Sequence, residues 1–445
     1  MSKISRRDFV KLTGAAIAAV GMGGHAAQVE AAPKSAAVVR TKAYLPKPKG
    51  PRVVVIGAGT AGLTIAKYLK KENAKLDVVV VEKRAMYSSC FSSNLWYSGV
   101  INLEFLAGHS FLDAARNGGY IFFSATCTGV DRSARKVYTD QGEISYDYLV
   151  LAPGIDYDYT RIGIKDPETE YRLRTEHPAG WMMGTEHVSI KHKIETFKGG
   201  IFVQTVPSGN FRCKPAPYER ACMIASYFKQ HKIKGKVLLL DHNPDIAVKK
   251  AGFRAAFDDL YKGYIDYVPS VNITGVNADT KTIETEFDSY PFDAAAIYPG
   301  VRASMLIEVA GLVDPKSPQK EANIDVLKYH VPGDPRVYVA GDSRPMGFPK
   351  SAHLANSEGK YVAKVIAAHE AGKVIDWASP ASVCYSLVNT EPNEAISMWV
   401  SYNYDEATKA FSPAKDSTGT DESRDPAKGG AALDWAQTLY ADMFT

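Results

Sequence analysis

The sequence predicts an α/β protein with parallel sheets, and three segments near the start of the folded chain carry that prediction. Residues 52–56, Arg-Val-Val-Val-Ile, contain an apolar run of the kind found in buried parallel strands. A glycine-rich turn follows, and residues 63–70 have the pattern of a helix. Residues 77–81 then form a second apolar strand that ends at Glu82. This strand–turn–helix–strand order is typical of a dinucleotide-binding unit.

The glycine-rich turn indicates what such a unit would bind. It has the GxGxxG pattern, in which Glu82 lies twenty positions after the last glycine. The glycines let the backbone approach a pyrophosphate, the helix start supplies amide donors, and an acid at this point accepts hydrogen bonds from a ribose. A packing turn without a ligand is the alternative, and the flanking strand and helix disfavour it. The residues of the turn are Gly57, Ala58, Gly59, Thr60, Ala61 and Gly62.

Two later strands identify the dinucleotide by resemblance. One enters a tight turn at Ala152-Pro153-Gly154, and the other ends in Gly341-Asp342. With the glycine turn, these segments resemble the flavoprotein family of glutathione reductase. The resemblance implies that FAD occupies the first fold, with Asp342 near its ribityl and pyrophosphate groups. It also implies a discontinuous FAD domain of residues 51–163 and 291–375, in which the helix of residues 351–370 points its N-terminus at the flavin.

The intervening residues 164–290 predict a second dinucleotide fold that departs from this pattern. After the strand of residues 200–206, prolines and Cys213 stand where a nicotinamide-binding fold has glycines. Proline donates no amide, so the phosphate cradle is missing and NAD(P)H is not expected as reductant. The full prediction is two Rossmann-like domains, the second without a nicotinamide site, and a small C-terminal α+β interface domain at residues 376–445.

Length, charge and the first residues set further limits. The 445 residues suffice for two or three domains. Beyond residue 31 the chain carries 49 basic and 47 acidic groups, too even a balance for nucleic-acid binding. Residues 1–31 resemble a twin-arginine signal peptide with Arg6-Arg7, and residues 32–50 form a linker. We therefore expect a periplasmic protein with no integral membrane segment in the mature chain; a chance Arg-Arg before an anchoring helix is the alternative.

The five cysteines are an odd number, and the absence of a CxxCH motif excludes a c-type haem on this chain. Cys90 follows Glu82 by eight residues, where a thiol can reach the flavin edge, although inert packing is the other interpretation of an unpaired buried cysteine. Cys213 and Cys384 are 171 positions apart, and spacing alone does not show that they meet. Cys127, in an expected strand of residues 120–127, and Cys222 are interpreted as structural.

Several motifs together make the resemblance closer. They resemble the flavoprotein subunit of flavocytochrome c sulfide dehydrogenase, over about residues 50–445. The motifs are Cys90-Phe91-Ser92-Ser93-Asn94, residues 212–222 from Arg212 to Cys222, Pro349-Lys350-Ser351, residues 384–388 from Cys384 to Val388, and Ala441-Asp442-Met443-Phe444.

This resemblance implies roles for individual residues. Cys90 takes the position of an 8α-S-cysteinyl link to FAD, and Cys213 and Cys384 the positions of a redox-active disulfide. Glu219 matches an active-site glutamate, although a first-turn acid favoured by the helix dipole is the ordinary interpretation. Asn94 and Lys350 lie in matched segments and are assigned to the cofactor. No metal ligands are predicted.

The implied chemistry is sulfide oxidation, with a c-type cytochrome subunit or a soluble cytochrome c as partner. Hydrosulfide would attack the disulfide, and the displaced thiolate would pass two electrons to the flavin. The alternatives are a sulfide:quinone oxidoreductase and a non-enzymatic sulfur-binding flavoprotein. Three minor expectations complete the prediction: a mobile loop at residues 413–430, a last helix at residues 431–444 that docks on this protein or a dimer mate, and solvated His187 and His192.

Overall fold

The computed structural model describes residues 41–445, which form one unit. The predicted signal peptide and the first part of the linker, residues 32–40, lie outside the described residues. Two sheets of mainly parallel strands, with helices packed against them, confirm the predicted α/β class. Among residues 41–445, no helix combines the length and apolar character needed to cross a membrane.

The first sheet has six strands and carries the glycine turn at its centre. The register pairs Val54 with Val79 on one side and with Leu149 on the other, all in parallel. These strands are buried except for Arg52 and Asp77 at their starts, as their valine-rich sequences predict. In spatial order the strands are His330–Val331, Asp334–Val339, Tyr148–Leu151, Arg52–Ile56, Asp77–Glu82 and Ile121–Ser124.

Helices and short strands surround this sheet. The helix Thr60–Glu72 packs against the helix Ala352–Glu370. Smaller helical segments are Ser93–Tyr97, Leu103–Ala107, Phe111–Gly118, Met305–Val309 and the 3₁₀ turns Tyr159–Ile162 and Gly341–Ser343. The accompanying antiparallel strands are Met86–Tyr87 with His109–Ser110, then Cys127–Asp131, Lys136–Thr139 and Gly142–Ser145, and finally Ile155–Asp158 with Gly300–Ala303.

The second sheet has four parallel strands, Ile265–Val268, Gly235–Asp241, Gly200–Val206 and Ala294–Ala296. An antiparallel sheet of Ile273–Asn277, Thr282–Thr285 and Ser289–Pro291 lies in the same part of the chain. Helices here are Pro167–Glu176, Thr185–Thr196, Ala216–Gln230 and Lys250–Ala255, the last continued by a π-helical turn, Ala256–Leu260. Proline at the start of Ala216–Gln230 is compatible with a helix because the first turn needs no amide donor at that point.

The last part of the chain is a three-stranded antiparallel sheet and a long helix. The strands are Ser382–Thr390, Asn393–Val400 and Gly419–Asp425, and a separate pair is Tyr402–Asp405 with Ala410–Pro413, followed by the 3₁₀ turn Lys415–Ser417. The helix Pro426–Phe444 ends with Tyr440, Met443 and Phe444 buried in the core of the first sheet. The last helix therefore docks on its own protein.

Four sequence-based expectations are wrong in detail. Residues 413–430 are not a loop, because the strand Gly419–Asp425 pairs with Asn393–Val400. The last helix begins at Pro426 rather than at residue 431, because the Asp425 side chain accepts from the amide of Ala427 and caps it.

Residues 120–127 do not form one strand. The first strand ends at Ser124, and Cys127 starts another that pairs with Lys136–Thr139. His187 is not solvated: it is 1 % exposed, and burial lowers its pKa to about 3. His187 is buried because it lies on the same inward face of the helix Thr185–Thr196 as Ile190 and Ile194. The apolar periodicity of this segment is too weak to predict which face is buried.

Candidate active site

A cleft with about 630 Å³ of empty space, part of it open to solvent, lies beside the glycine turn, at the carboxyl ends of the parallel strands of the first sheet. We call it the cavity. Most of the predicted cofactor residues line it. These are Gly59, Thr60, Ala61, Cys90, Ala152, Gly154, Gly341, Asp342 and Lys350, and Cys213 lines it as well.

The glycine turn has the shape that a pyrophosphate requires. Gly57 has a φ of +95°, and a Cβ atom there would lie 2.5 Å from the carbonyl oxygen of Ala152. A Cβ atom at Gly62 would lie 1.9 Å from the carbonyl oxygen of Gly57, so the helix can approach the strand only without a side chain. At Gly59 a Cβ atom would meet nothing within 4 Å, and this open side faces the cavity. The turn is thus tightly packed at Gly57 and Gly62 and open to the cavity at Gly59.

Glu82 lies at the base of the turn, where its carboxylate accepts four hydrogen bonds. The amide of Ala58 donates to Oε2 at 3.1 Å, and Arg84 donates through its amide, Nε and Nη2. Burial opposes ionisation, but the bonds from Arg84 and Ala58 hold the pKa of Glu82 below its ordinary value. Glu82 is therefore an ionised acceptor, and a ribose bound there would replace bonds that Arg84 now makes.

Charged side chains meet at the opposite wall of the cavity. Nε of Arg212 donates to Oδ2 of Asp342 at 2.6 Å, and Nζ of Lys350 donates to the carbonyl oxygen of Asp342 at 2.7 Å and to Oε1 of Glu321 at 2.5 Å. Burial would raise the pKa of Asp342, but the charges of Arg212 and Lys350 hold it below its ordinary value. Lys350 is fully buried and Arg212 is partly buried, so their contacts fix this wall of the cavity.

The residues present fit FAD. The cavity runs from the glycine turn to Cys90 and Cys213, and the helix Ala352–Glu370 begins at its edge, with Ser351 and Ala352 in the lining. The N-terminus of a helix favours negative charge, which a reduced flavin carries. A dinucleotide with its phosphates at the turn would thus have its ring system near the two cysteines.

Cys213, Cys384 and Cys90 belong to one partly buried cluster. Burial raises the pKa of Cys213 well above its ordinary value, and the neighbouring Cys384 and then Cys90 raise it further. All the cysteines of the chain, Cys213 and Cys384 included, are free thiols in the structure. The sequence could not tell whether these distant segments meet, and the fold brings them into the same neighbourhood.

The backbone of Cys213 is held in an uncommon conformation. Its φ is +57°, in the left-handed region that non-glycine residues seldom adopt. On one side its amide donates to the carbonyl oxygen of Lys350 at 2.8 Å. On the other, the hydroxyl of Tyr298 accepts from the amide of Arg212 at 3.0 Å. The surrounding structure thus overrides the local preference and turns Cys213 toward the cavity.

Glu219 lies in the same cluster, on the first turn of the helix Ala216–Gln230. Burial raises its pKa to about 7, although Nδ2 of Asn94 donates to Oε2 at 2.7 Å and the amide of Leu387 donates to Oε1 at 2.8 Å. Leu387 lies on the strand that also carries Cys384. A carboxyl group with this pKa can take or give a proton near neutral pH.

Asn94 contacts Glu219 rather than lining the cavity beside the cofactor residues. Its Oδ1 accepts from Nε of Arg220 at 3.0 Å, while Arg220 is fully buried and bonded to the carbonyl oxygens of Ala179 and Gly180. In the structure the side chain of Asn94 contacts the acid, and its assignment to the cofactor stays a prediction. Arg220 was missed as its anchor, although its position next to Glu219 in the matched segment was a signal.

The second sheet has an acid at the place where a nicotinamide-binding fold would bind ribose, but this acid is buried and already hydrogen-bonded. Asp241 ends the second strand of the sheet and is fully buried. Its Oδ2 accepts from the hydroxyls of Tyr218 at 2.7 Å and Tyr267 at 3.0 Å, and Asn243 donates to Oδ1. Burial raises the pKa of Asp241 despite these bonds. The side chain is thus unavailable to a ribose.

A cavity beside a glycine turn, a second dinucleotide fold without a phosphate cradle, and cysteines at the cavity wall define a two-domain flavoprotein oxidoreductase. Models of known families agree. Residues 51–175 match the pyridine nucleotide-disulphide oxidoreductases. Residues 188–299 match the central part of the flavoprotein chain of sulfide dehydrogenase [flavocytochrome c], and residues 377–444 match the flavin-binding part of flavocytochrome c sulphide dehydrogenase. The chain belongs to this family of flavoprotein subunits.

Individual proteins and structures that resemble this chain have low sequence identity to it or match only part of it. A mitochondrial sulfide:quinone oxidoreductase of Dictyostelium discoideum is 23% identical over 342 residues, 72% of this chain and 71% of that protein. An NADH oxidase of Methanocaldococcus jannaschii is 30% identical over 132 residues, 28% of this chain and only 30% of that protein. The crystal structure of the sulfide:quinone oxidoreductase of Aquifex aeolicus has a TM-score of 0.73 at 16% identity, with 88% of this chain and 91% of that chain covered. This last likeness is one of fold.

Proposed function

We propose that this protein oxidises sulfide through a Cys213–Cys384 disulfide and bound FAD and passes the electrons to a c-type cytochrome in the periplasm. The observation that carries the proposal is the position of Cys213. It lines the cavity on one side and shares a cluster with Cys384 and Glu219 on the other. Membership of the sulfide dehydrogenase flavoprotein family supports the substrate.

FAD, when bound, accepts two electrons and releases them singly. The residues that would hold it are the glycine turn, Glu82, Asp342 and Lys350, with Cys90 as the covalent attachment to the ring. Cys90 lines the cavity, as this attachment requires. Burial raises the pKa of its thiol, while the charges of Arg212 and Arg220 lower it. A covalent link would keep the cofactor bound outside the cytoplasm, where it is not replaced.

The sulfur chemistry follows from which cysteine faces the cavity. Hydrosulfide attacks Sγ of Cys384, a new sulfur–sulfur bond forms there, and the Cys213–Cys384 bond breaks. The electron pair of the broken bond stays on Cys213 as a thiolate. Because Cys213 lines the cavity and Cys384 is not part of the lining, this direction of cleavage leaves the electron donor beside the flavin.

Glu219 takes the proton in this scheme. The hydrosulfide sulfur loses its hydrogen when the persulfide on Cys384 ionises, and a buried carboxylate with a pKa of about 7 is a suitable acceptor. The bonds from Asn94 and Leu387 keep both of its oxygens oriented within the cluster.

Two features support a cytochrome rather than a quinone as electron acceptor. The matched family is that of a flavocytochrome c, and the last helix buries its apolar end against the first sheet instead of presenting it outward. The runner-up, a sulfide:quinone oxidoreductase, is favoured by the Dictyostelium discoideum relative. Export to the periplasm is supported by the twin-arginine pattern of residues 5–11.

An anaerobic sulfide titration of the FAD-loaded protein tests the proposal. Sulfide should bleach the visible flavin absorbance, and horse cytochrome c should then be reduced faster than a short-chain quinone. A flavin that stays oxidised would reject the proposed activity and favour a sulfur-binding role. Faster reduction of the quinone would favour the runner-up.

A further inference from the structure

Lys249 is a buried cation whose polar contacts are all neutral. The residue is only 3 % exposed. Its Nζ donates to Oγ of Ser386 at 2.7 Å and to the carbonyl oxygen of Cys384 at 3.4 Å. Burying a charge without an opposite charge in contact is unfavourable, and an anion bound beside Nζ would offset that cost.

The backbone at this position is also held in an uncommon conformation. Lys249 has a φ of +52°, in the left-handed region, as Cys213 has with +57°. A lysine gains nothing from this conformation that glycine or asparagine would not supply at lower cost. Lys249 and Cys213 both border the sulfur cluster, but Lys232, Lys281, Lys320 and Lys409 have the same backbone conformation, so the conformation by itself assigns no function.

The third contact of Lys249 is a sulfur atom. Nζ lies 3.7 Å from Sγ of Cys384, within hydrogen-bond distance of sulfur. The influence of the cation reaches the other members of the cluster. Burial raises the pKa values of Cys213 and Glu219, and the charge of Lys249 lowers both.

We propose that Lys249 attracts the anionic sulfur substrate to Cys384 and holds the negative charge of the persulfide formed there. The proposal rests on the proposed function and names the form of the substrate, hydrosulfide or another anionic sulfur chain, rather than a neutral thiol. The sulfur of hydrosulfide bonds to Sγ of Cys384, the bond to Cys213 breaks, and Cys213 keeps the electron pair. The proton goes to Glu219, so the terminal sulfur of the persulfide is an anion beside Nζ.

Alkylation of Cys384 tests the electrostatic part without sulfide. In the FAD-loaded Cys213→Ser protein Cys384 is a free thiol, and iodoacetamide modifies its thiolate form at a rate that mass spectrometry follows. Adding Lys249→Met should slow modification at pH 7 by about tenfold, whereas adding Lys249→Arg should keep most of the rate. The matched control is Lys250→Met, because Lys250 is a neighbouring lysine whose Nζ is paired with Asp245 at 2.6 Å. Equal rates in Cys213→Ser with and without Lys249→Met would overturn the proposal.

Sulfide kinetics and stability test the functional part in otherwise unchanged protein. Lys249→Met should slow sulfide-driven bleaching at least tenfold and raise the KM for sulfide, with unchanged reduction by dithionite. Its melting temperature should stay the same or rise, because a buried unpaired charge is removed. A lower melting temperature with normal sulfide kinetics would mark Lys249 as structural and overturn the proposal. Should Lys249→Met fail to fold, Lys249→Gln provides the same comparison.

The alkylation and sulfide experiments distinguish an error in the proposed function from an error in the role of Lys249. If sulfide does not bleach the flavin of the parent protein, the proposed function is wrong, and alkylation still reports whether Lys249 stabilises a thiolate at Cys384. If the parent protein is bleached and neither measurement responds to Lys249→Met, only the role of Lys249 is wrong.

Discussion

The amide of Cys213 donates a hydrogen bond to the carbonyl oxygen of Lys350 at 2.8 Å, and this bond joins the second dinucleotide fold to the wall of the cofactor cavity. The Nζ of the same lysine contacts the carbonyl oxygen of Asp342 at 2.7 Å. One residue thus fixes both the proposed redox cysteine and the acid expected beside the cofactor. Because Cys213 has a left-handed backbone, the bond helps to hold a conformation that the local sequence would not choose.

Replacing Cys213 separates electron transfer from cofactor binding. Cys213→Ser should retain FAD, since the glycine turn and Asp342 are untouched, and should lose sulfide-driven bleaching because no disulfide can be opened. The measurement is the visible spectrum during anaerobic sulfide titration. The control is Cys127→Ser, because Cys127 is outside the cavity lining and its Sγ lies beside the carbonyl oxygen of Gly129, at the edge of the core of the first sheet. Full bleaching in Cys213→Ser would eliminate the disulfide mechanism.

Denaturation tests the proposed attachment of FAD to Cys90. If the link exists, acid precipitation should leave the yellow flavin with the polypeptide, and Cys90→Ala should release it to the supernatant. Mass spectrometry of the intact chain should find the added mass of FAD in the parent protein only. Flavin in the supernatant of the parent protein would contradict a covalent bond and leave the cavity as a non-covalent site.

Much of the fold could be predicted because its signals are local. The strand Arg52–Ile56, the glycine turn and Glu82 all lie within residues 52–82, and each element carries its own pattern. The strand Gly200–Val206 and the helix of residues 352–370 were likewise predicted within two residues. Residues 419–425 escaped prediction because polar side chains fill that strand, and its pairing partner decides its conformation.

The site was harder to predict from the sequence, because the residues in its key contacts are far apart along the chain. The contact between Lys249 and Cys384 spans 135 positions, and that between Asn94 and Glu219 spans 125. No local spacing reports such contacts. The roles of Cys90, Cys213 and Glu219 came from resemblance, whereas Lys249 lies in a loop without a motif. The hydrogen bonds from two tyrosines to Asp241 could not be predicted either, since Tyr267 comes from a neighbouring strand.

The raised pKa of Glu219 predicts a pH dependence of sulfide oxidation. If Glu219 accepts the proton, it must be ionised, so the rate of bleaching should rise with pH through about 7. Glu219→Gln should lower the rate by roughly 10²–10⁴-fold and remove this rise. Stopped-flow measurements between pH 5.5 and 8.5, at constant hydrosulfide concentration, would distinguish this titration from that of the substrate. An unchanged profile in Glu219→Gln would reject Glu219 as the base.

The same group predicts how stability depends on pH. Burial raises the folded pKa of Glu219 to about 7, above its ordinary value of 4.5, so the folded state binds more protons than the unfolded state between these values. Its contribution to stability is present below pH 4.5 and is lost as the pH rises through 7. Glu219→Gln should therefore raise the melting temperature at pH 8 relative to the parent protein more than at pH 5. A difference of the opposite sign would mean that the carboxylate is stabilised in the folded protein.

The structure of the second dinucleotide fold predicts that NADH and NADPH do not reduce the flavin. Asp241 is fully buried and bonded to Tyr218 and Tyr267, and the prolines after Val206 remove the amides that would bind a pyrophosphate. Anaerobic NADH or NADPH should therefore leave the flavin spectrum oxidised for minutes, in a preparation that sulfide or dithionite bleaches. Removing the tyrosine hydroxyls with Tyr218→Phe and Tyr267→Phe should not restore reduction, because the phosphate cradle would still be missing. Rapid bleaching of the parent protein by NADH would mean that the second sheet binds a nicotinamide by another route.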